Sequence, residues 1–103
     1  MKKLLCLALT VGSPVLAGDP EAGRELAQQC TVCHGEFGVS EDDEVPNIAG
    51  QSAFYLEKSL GDYKTGVRQD PRMSIMAQGL DDAQIEDLAA WFSSVEVIVT
   101  PPD

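Results

Sequence analysis

The pentapeptide Cys30-Thr31-Val32-Cys33-His34 is the stretch of this sequence that most restricts the fold. Its two thiols lie about one helical turn apart, and a histidine follows the second thiol directly. Two thiols at this spacing can add to the two vinyl groups of one haem, and the imidazole then ligates the iron. The pattern therefore predicts one covalently attached haem c held by Cys30, Cys33 and His34.

Three other uses of a Cys-x-x-Cys pair remain as alternatives. A thioredoxin-like redox pair needs a βαβ pattern around it, and the sequence shows no parallel strands. A structural zinc site needs four ligands, whereas residues 18–103 contain two cysteines and one histidine. A plain disulfide would leave the adjacent histidine without a role. Haem attachment is thus the favoured interpretation.

Residues 1–17 are predicted to be a secretory signal peptide. Lys2 and Lys3 form a basic start, the run from Leu4 to Val11 is almost wholly apolar, and small residues end the stretch at Ala17. The apolar run is well short of the roughly 20 residues of a spanning helix, so an uncleaved anchor is the weaker alternative. We expect cleavage near Ala17, a periplasmic protein, and no stable membrane insertion afterwards.

The remainder of the chain is short and strongly acidic. Residues 18–103 carry five cationic and 17 acidic side chains, a formal net charge of −12. This charge disfavours binding to nucleic acid or to anionic membranes, and it favours redox partner proteins with a basic docking face. A chain of 86 residues also has a small hydrophobic core, which a buried cofactor would enlarge.

Two helices are predicted in the first two thirds of this region. The first begins at Asp19-Pro20, a favourable cap followed by proline at the first helical position, and runs to about Val32. Residues 35–50, rich in glycine and proline, are predicted to form a loop. The second helix spans Ser52 to Lys64, and Gly66 is placed to end it.

The third helix has the clearest start, because Asp81 and Gln84 have the spacing of a capping box. Its periodicity predicts one buried face formed by Ile85, Leu88, Ala89 and Phe92. Residues 67–79, between the second and third helices, are predicted to be a loop because they combine glycine and proline.

An attached haem needs a second axial ligand, and His34 is the only histidine in the chain. A methionine sulfur is the natural choice, and Met73 and Met76 are the two methionines of residues 18–103. Methionines are usually core filler. The predicted loop 67–79, however, can wrap to the far face of a flat cofactor. A His/Met pair would raise the potential of the iron, as electron carriers require.

Several segments of the sequence match one protein family: Gly23 ahead of residues 30–35, Pro46 to Gln51, Tyr55-Leu56, Lys64 to Arg68, Met73 seven residues before Leu80, and residues 82–92. Through them, residues 18–94 resemble the class I cytochromes c, of the monohaem bacterial type and similar to one half of the dihaem bacterial cytochromes. The resemblance implies an all-α fold, with three main helices and long loops around one covalent haem. It also implies electron transfer rather than enzyme catalysis.

The resemblance further implies roles for individual residues. Met73 matches the position of the sixth iron ligand. Pro46 matches the proline whose carbonyl accepts a hydrogen bond from the ligating histidine. Arg68 matches a position near a haem propionate, with an ordinary exposed cation as the equal alternative. Gly23 and Trp91 match the pair at which the first and last helices cross.

Three segments depart from the family pattern. Phe37 and Val39 stand where related proteins often carry aspartate and asparagine. The acidic run 41–44 is unusually dense, and we interpret it as a solvated loop face rather than a docking patch. Residues 95–103 form a C-terminal tail without a counterpart.

Two other functions remain open at this point. The chain could be the haem-bearing electron-acceptor subunit of a periplasmic dehydrogenase complex. Alternatively, it could be a haem sensor or catalyst with a labile sixth ligand.

Overall fold

The computed structural model describes residues 6–10, 12 and 18–103. Within these ranges it contains α-helices, one short 3₁₀ helix at Glu36–Gly38, and no strand. The α-helices are α1 Pro20–Leu26, α2 Gln28–His34, α3 Ala53–Thr65, α4 Met73–Gln78 and α5 Asp82–Ser94. The predicted all-α architecture is therefore confirmed. None of the helices in the described part of the chain is long and apolar enough to cross a membrane.

The predicted cleavage site after Ala17 lies outside the described residues, as does most of the predicted signal peptide. The parts of that segment that are described, residues 6–10 and 12, are exposed and have no regular secondary structure.

The predicted first helix is instead two short helices that meet at Ala27. Asp19 caps α1 as expected, since its side chain accepts a hydrogen bond of 2.9 Å from the Glu21 amide. At Ala27 the helix contains a tighter, 3₁₀-type turn, because the Ala27 carbonyl accepts a hydrogen bond from the amide of Cys30, three residues later. The helical path then continues to His34 rather than Val32.

Residues 67–79 are not a continuous loop, because they contain helix α4. Pro71 and the flanking glycines favoured a loop in the sequence, but Asp70-Pro71 repeats the helix-start signal of Asp19-Pro20. The Asp70 carboxylate accepts hydrogen bonds from the amides at the start of α4. Met73 and Met76 therefore lie on a helix, and the prediction of a loop around them is wrong.

Helix α3 begins one residue after the predicted start, so that Ser52 is its cap, and α5 begins after the predicted cap Asp81. The Ser52 hydroxyl accepts a hydrogen bond of 3.2 Å from the Tyr55 amide, and Gly66 ends α3 in the left-handed conformation. Asp81 accepts a bond of 2.8 Å from the Gln84 amide, and the Gln84 side chain accepts one of 3.0 Å in return. This reciprocal pair is the predicted capping box.

Helix α5 forms the centre of the core and packs against both α1 and α3, while α4 packs against α3. The four residues predicted to form its inner face are all buried. They join one cluster with residues from the other helices: Ala27, Leu56, Leu80, Ile85, Leu88, Ala89 and Phe92. Burying this face is the main stabilisation that the chain provides without a cofactor.

The crossing of α1 and α5 depends on Gly23. A Cβ added at Gly23 would lie 1.9 Å from the Asp87 carbonyl oxygen and 2.9 Å from the Trp91 Cβ. The expected close approach of Gly23 and Trp91 is present, but the nearest neighbour is the α5 backbone rather than the Trp91 ring. The crossing fixes where α2, which continues from α1, lies on the domain.

The tail begins by passing over Gly50, in the loop that precedes α3. The Gly50 amide donates a hydrogen bond of 2.8 Å to the Phe92 carbonyl at the end of α5. A Cβ added at Gly50 would lie 2.8 Å from the Val97 side chain and 3.1 Å from the Val95 carbonyl oxygen. Beyond this contact, Ile98 and the residues that follow it are exposed.

Candidate haem site

The imidazole of His34 is the best-fixed group of the predicted site. The residue ends α2 and is only 8% exposed. Its Nδ1 atom lies 2.8 Å from the carbonyl oxygen of Pro46, across the loop that follows α2. A neutral ring that donates from Nδ1 keeps the lone pair of Nε2 for a metal. The contact is the one that the family resemblance implies for Pro46.

The chain turns sharply after His34 because Gly35 adopts a φ of 79°. A Cβ at this position would lie 1.8 Å from the Val39 carbonyl oxygen, so only glycine fits. Phe37 then takes a φ of 57°, unusual for a residue with a large side chain. Nothing in the sequence predicts a positive φ at Phe37, which is one of the residues that depart from the family pattern.

The two thiols of the motif differ in their surroundings. Cys30 is half-buried, whereas Cys33 is exposed, and no disulfide joins them. Burial raises the pKa of the Cys30 thiol to about 11. This thiol is therefore protonated at neutral pH, unlike the thiolates of redox-active Cys-x-x-Cys pairs. The environment does not favour a thioredoxin-like site.

An open cleft of about 300 Å³ lies in front of the motif. One side of it is formed by Val32 and Cys33 on the outer face of α2, and Val32 is 86% exposed. Glu41 and Asp42 from the acidic run also line the cleft, together with Arg72, the residue before Met73. The cleft therefore brings the cysteine motif together with the start of α4.

The two candidate methionines lie one turn apart on the same short helix. Met73, at the start of α4, is half-buried, and Met76 is 37% exposed. Met73 is also the residue next to the cleft, through Arg72. Of the predicted site residues, Cys33 lines this cleft, whereas Cys30, His34, Pro46, Met73 and Arg68 are not part of its lining. Arg68 makes a contact elsewhere. Its guanidinium carbon is 4.7 Å from the centroid of the Tyr63 ring, a cation–π contact at the exposed end of α3.

These donors fit a covalent haem c. A single helix presents two unpaired thiols and an imidazole whose Nδ1 is already engaged. A thioether sulfur, the common partner of histidine in electron-transfer haem proteins, is carried by Met73, the residue after Arg72 of the cleft lining. The helical fold and this donor set together define a haem-bearing electron-transfer protein.

The chain belongs to the cytochrome c family, since a family model described as "Cytochrome c" matches residues 20–96. It is similar to cytochrome c-554(548) of Halomonas halodenitrificans, with 45% identity over 78% of this chain and 100% of that protein. It is also similar to the structure of reduced recombinant cytochrome c4 from Pseudomonas stutzeri, at a TM-score of 0.73 and 39% identity. That match covers 78% of this chain and 47% of the other.

A third likeness is to the structure of thiosulfate dehydrogenase from Marichromatium purpuratum, at a TM-score of 0.74 and 31% identity. It covers 91% of this chain but 24% of the dehydrogenase chain. The protein thus spans all of cytochrome c-554(548), about half of the cytochrome c4 chain and about a quarter of the dehydrogenase. The predicted family, the class I cytochrome c fold, one covalent haem c and a function in electron transfer are confirmed.

Proposed function

We propose that the protein is a periplasmic single-electron carrier whose haem is bound to Cys30 and Cys33 and ligated by His34 and Met73. The hydrogen bond between His34 Nδ1 and the Pro46 carbonyl is the observation that carries this proposal. It fixes the ring and makes Nε2 the ligating atom. When bound, the haem supplies an iron that gains and loses one electron.

The chain's own residues hold the cofactor and make no bond to a substrate. His34 and Met73 would fill both axial positions, and this arrangement leaves no coordination site for a reactant. The buried core residues of α3 and α5 would give the cofactor an apolar surface from which water is excluded. Electron transfer without enzyme activity follows from this arrangement.

Pro46 and Arg68 would act from the second layer around the haem. The Pro46 carbonyl accepts a hydrogen bond from the Nδ1–H of His34, which would hold the ring with Nε2 free for the iron and favour ferric iron by increasing electron donation from the ring. Arg68, held over the Tyr63 ring, would place a cation near a haem propionate. Support for the Arg68 role comes from the family position alone.

The proposed domain organisation is a signal peptide at 1–17, a cytochrome domain at 18–94 and a tail at 95–103. Export to the periplasm depends on the signal peptide. Two contacts support a domain that starts at Gly18. A Cβ there would lie 2.3 Å from the Glu86 carbonyl oxygen, and the Asp19 amide donates a bond of 2.7 Å to Asp87 Oδ1. N-terminal sequencing of the protein from a periplasmic fraction should give Gly18 or a neighbouring residue. Retention of Met1 would refute the signal peptide.

The electron-transfer partners should carry a basic docking face. The formal charge of −12 on residues 18–103 supports this. The sequence alone favours a solvated loop face for the acidic run 41–44, but Glu41 and Asp42 line the cleft beside Cys33, and this position favours a docking role for these two residues. A basic partner attracted to this side would approach the edge at which the haem is attached.

The proposal is tested by exporting the chain in a host that attaches haem to cytochromes. After denaturation, haem colour should remain with the polypeptide. The ferric protein should show the weak near-red charge-transfer band of methionine ligation, and the reduced protein should not bind carbon monoxide at neutral pH. A colourless chain would refute the proposal, and carbon monoxide binding would instead support a sensor or catalyst with a labile sixth ligand.

A second candidate is a haem-bearing electron-acceptor subunit of a periplasmic dehydrogenase. The likeness to one quarter of the thiosulfate dehydrogenase chain favours it. Stoichiometric co-purification with a dehydrogenase would support this function, whereas a monomer that exchanges electrons with several partners would support the soluble carrier.

A further inference from the structure

A single carboxylate closes the turn ahead of Met73. Asp70 Oδ1 accepts hydrogen bonds from the amides of Arg72, at 2.8 Å, and Met73, at 2.9 Å. Ser74 completes the arrangement from the other side. Its amide donates to the Asp70 carbonyl, and its hydroxyl accepts from the Asp70 amide, each at 3.0 Å. Hydrogen bonds to Asp70 thus hold the backbone on both sides of the Met73 side chain.

Helix α4 needs this support because it is short. It has six residues, and Arg72, the residue before it, makes no capping hydrogen bond with its side chain. Helices of this length are not stable by themselves. The hydrogen bonds from the Met73 and Arg72 amides lower the pKa of the Asp70 carboxyl, as expected when they favour its charged form. Asp70 is therefore what orders the start of α4.

We propose that Asp70 is a positioning residue for the axial methionine: acting through the Met73 amide, its carboxylate holds the thioether sulfur on the iron and keeps the sixth position closed. The inference rests on the proposed ligation by Met73. It adds that this ligation depends on a side chain that touches neither haem nor iron.

The physical reason is the entropy of the segment. A sulfur on an ordered backbone binds the iron without first fixing the chain, whereas a sulfur on a loose loop must order several residues at each encounter. Removing the Asp70 carboxylate should therefore increase the fraction of time for which the iron lacks its methionine. Small ligands in solution would then reach the iron more often.

The test uses the haem-loaded protein with imidazole as an external ligand. At saturating imidazole, the rate of binding to the ferric protein reports how often the methionine leaves the iron. Asp70→Ala should raise this rate roughly fivefold or more, as expected for the loss of a helix cap. Asp70→Asn keeps an oxygen that accepts the amide hydrogen bonds, so it should restore most of the wild-type rate. Ser74→Ala should give a smaller increase.

Asp81→Ala is the matched control. Asp81 caps α5 with the same chemistry, a carboxylate bonded to the amide of Gln84, but makes no contact with α4 through that bond. Both alanine variants should lower stability to urea by similar amounts, while only Asp70→Ala accelerates imidazole binding. Equal acceleration in the two variants, or a wild-type rate in Asp70→Ala, would overturn the proposal.

A failure of the proposed Met73 ligation can be distinguished from a failure of the proposed role of Asp70. If Met73→Ala keeps the near-red band, then Met73 is not the ligand and the positioning role fails with it. If Met73→Ala loses the band but Asp70→Ala binds imidazole no faster, then the ligation stands and only the role of Asp70 is wrong. If Asp70→Ala yields no haem protein, the imidazole-binding rates of Asp70→Asn and Ser74→Ala are measured instead. A raised rate in Ser74→Ala, with a rate near wild type in Asp70→Asn, supports the proposal, and a wild-type rate in Ser74→Ala overturns it.

Discussion

The two walls of the proposed haem site are built in different ways. On the histidine wall, His34 is buried, follows the cysteines directly on α2, and bonds to the Pro46 carbonyl. On the methionine wall, Met73 is half-buried on a six-residue helix whose start depends on the turn at Asp70. The histidine wall is therefore fixed by local sequence and burial, and the methionine wall by a few hydrogen bonds. We expect the methionine wall to be the side that opens.

The largest effect should come from the histidine wall, where the cofactor is attached. Replacing both Cys30 and Cys33 by alanine should abolish covalent haem completely, because no thiol remains in the domain to form a thioether. Haem staining after denaturing electrophoresis measures this. Cys6→Ala is the control: it lies in the predicted signal peptide and should leave the stain unchanged. A stained double variant would contradict the assignment.

A smaller change should follow on the methionine wall. Met73→Ala should remove the near-red band of the ferric protein and lower the reduction potential, because a thioether favours ferrous iron. Haem should stay attached, since the thiols are unaffected. Met76→Ala is the paired variant and should keep both the band and the potential. If the two variants exchange these properties, then Met76 is the ligand.

The crossing of α1 and α5 at Gly23 supports the histidine wall, because α2 continues from α1. Gly23→Ala would place a methyl group 1.9 Å from the Asp87 carbonyl oxygen, which would force α1 and α5 apart. We expect a loss of about 3 kcal/mol in the free energy of unfolding by urea. Gly61→Ala, inside α3 with open space around it, should instead stabilise the protein by roughly 0.5–1 kcal/mol. A Gly23 variant as stable as wild type would contradict the crossing.

The smallest effect concerns docking beside the histidine wall. Neutralising the two cleft acids with Glu41→Gln and Asp42→Asn should slow electron transfer to a basic redox protein about two- to fivefold at low salt. The difference should shrink as salt rises, because exposed charges are screened. Glu25→Gln with Glu86→Gln removes the same charge elsewhere on the surface. An equal slowing in that control would mean that net charge, not this side, governs docking.

The sequence predicted those parts of the molecule whose signals are local. The end of α3 at Gly66, the capping box at Asp81 and the buried face of α5 follow from residues a few positions apart, and all are present. The cysteine motif is equally local. Helix α4 also has a local signal, since Asp70-Pro71 repeats Asp19-Pro20, but Pro71 and the flanking glycines favour a loop in the sequence and so conflict with it.

The long-range contacts could not be derived from the residues alone. The bond between His34 and Pro46 came from a family resemblance, since nothing in the intervening loop fixes their separation. The approach of the Asp87 backbone to Gly23 depends on how two helices cross, which periodicity does not specify. The left-handed Phe37 follows from the turn at Gly35 rather than from its own preference.

The way the tail leaves the domain has a practical consequence for electrochemistry. After Val97 crosses Gly50, the chain is exposed and reaches Pro101 and Pro102, which favour a stiff, extended backbone. An anchor fixed at Asp103 would hold the molecule on an electrode by a short rigid arm, without disturbing the packing at Gly50.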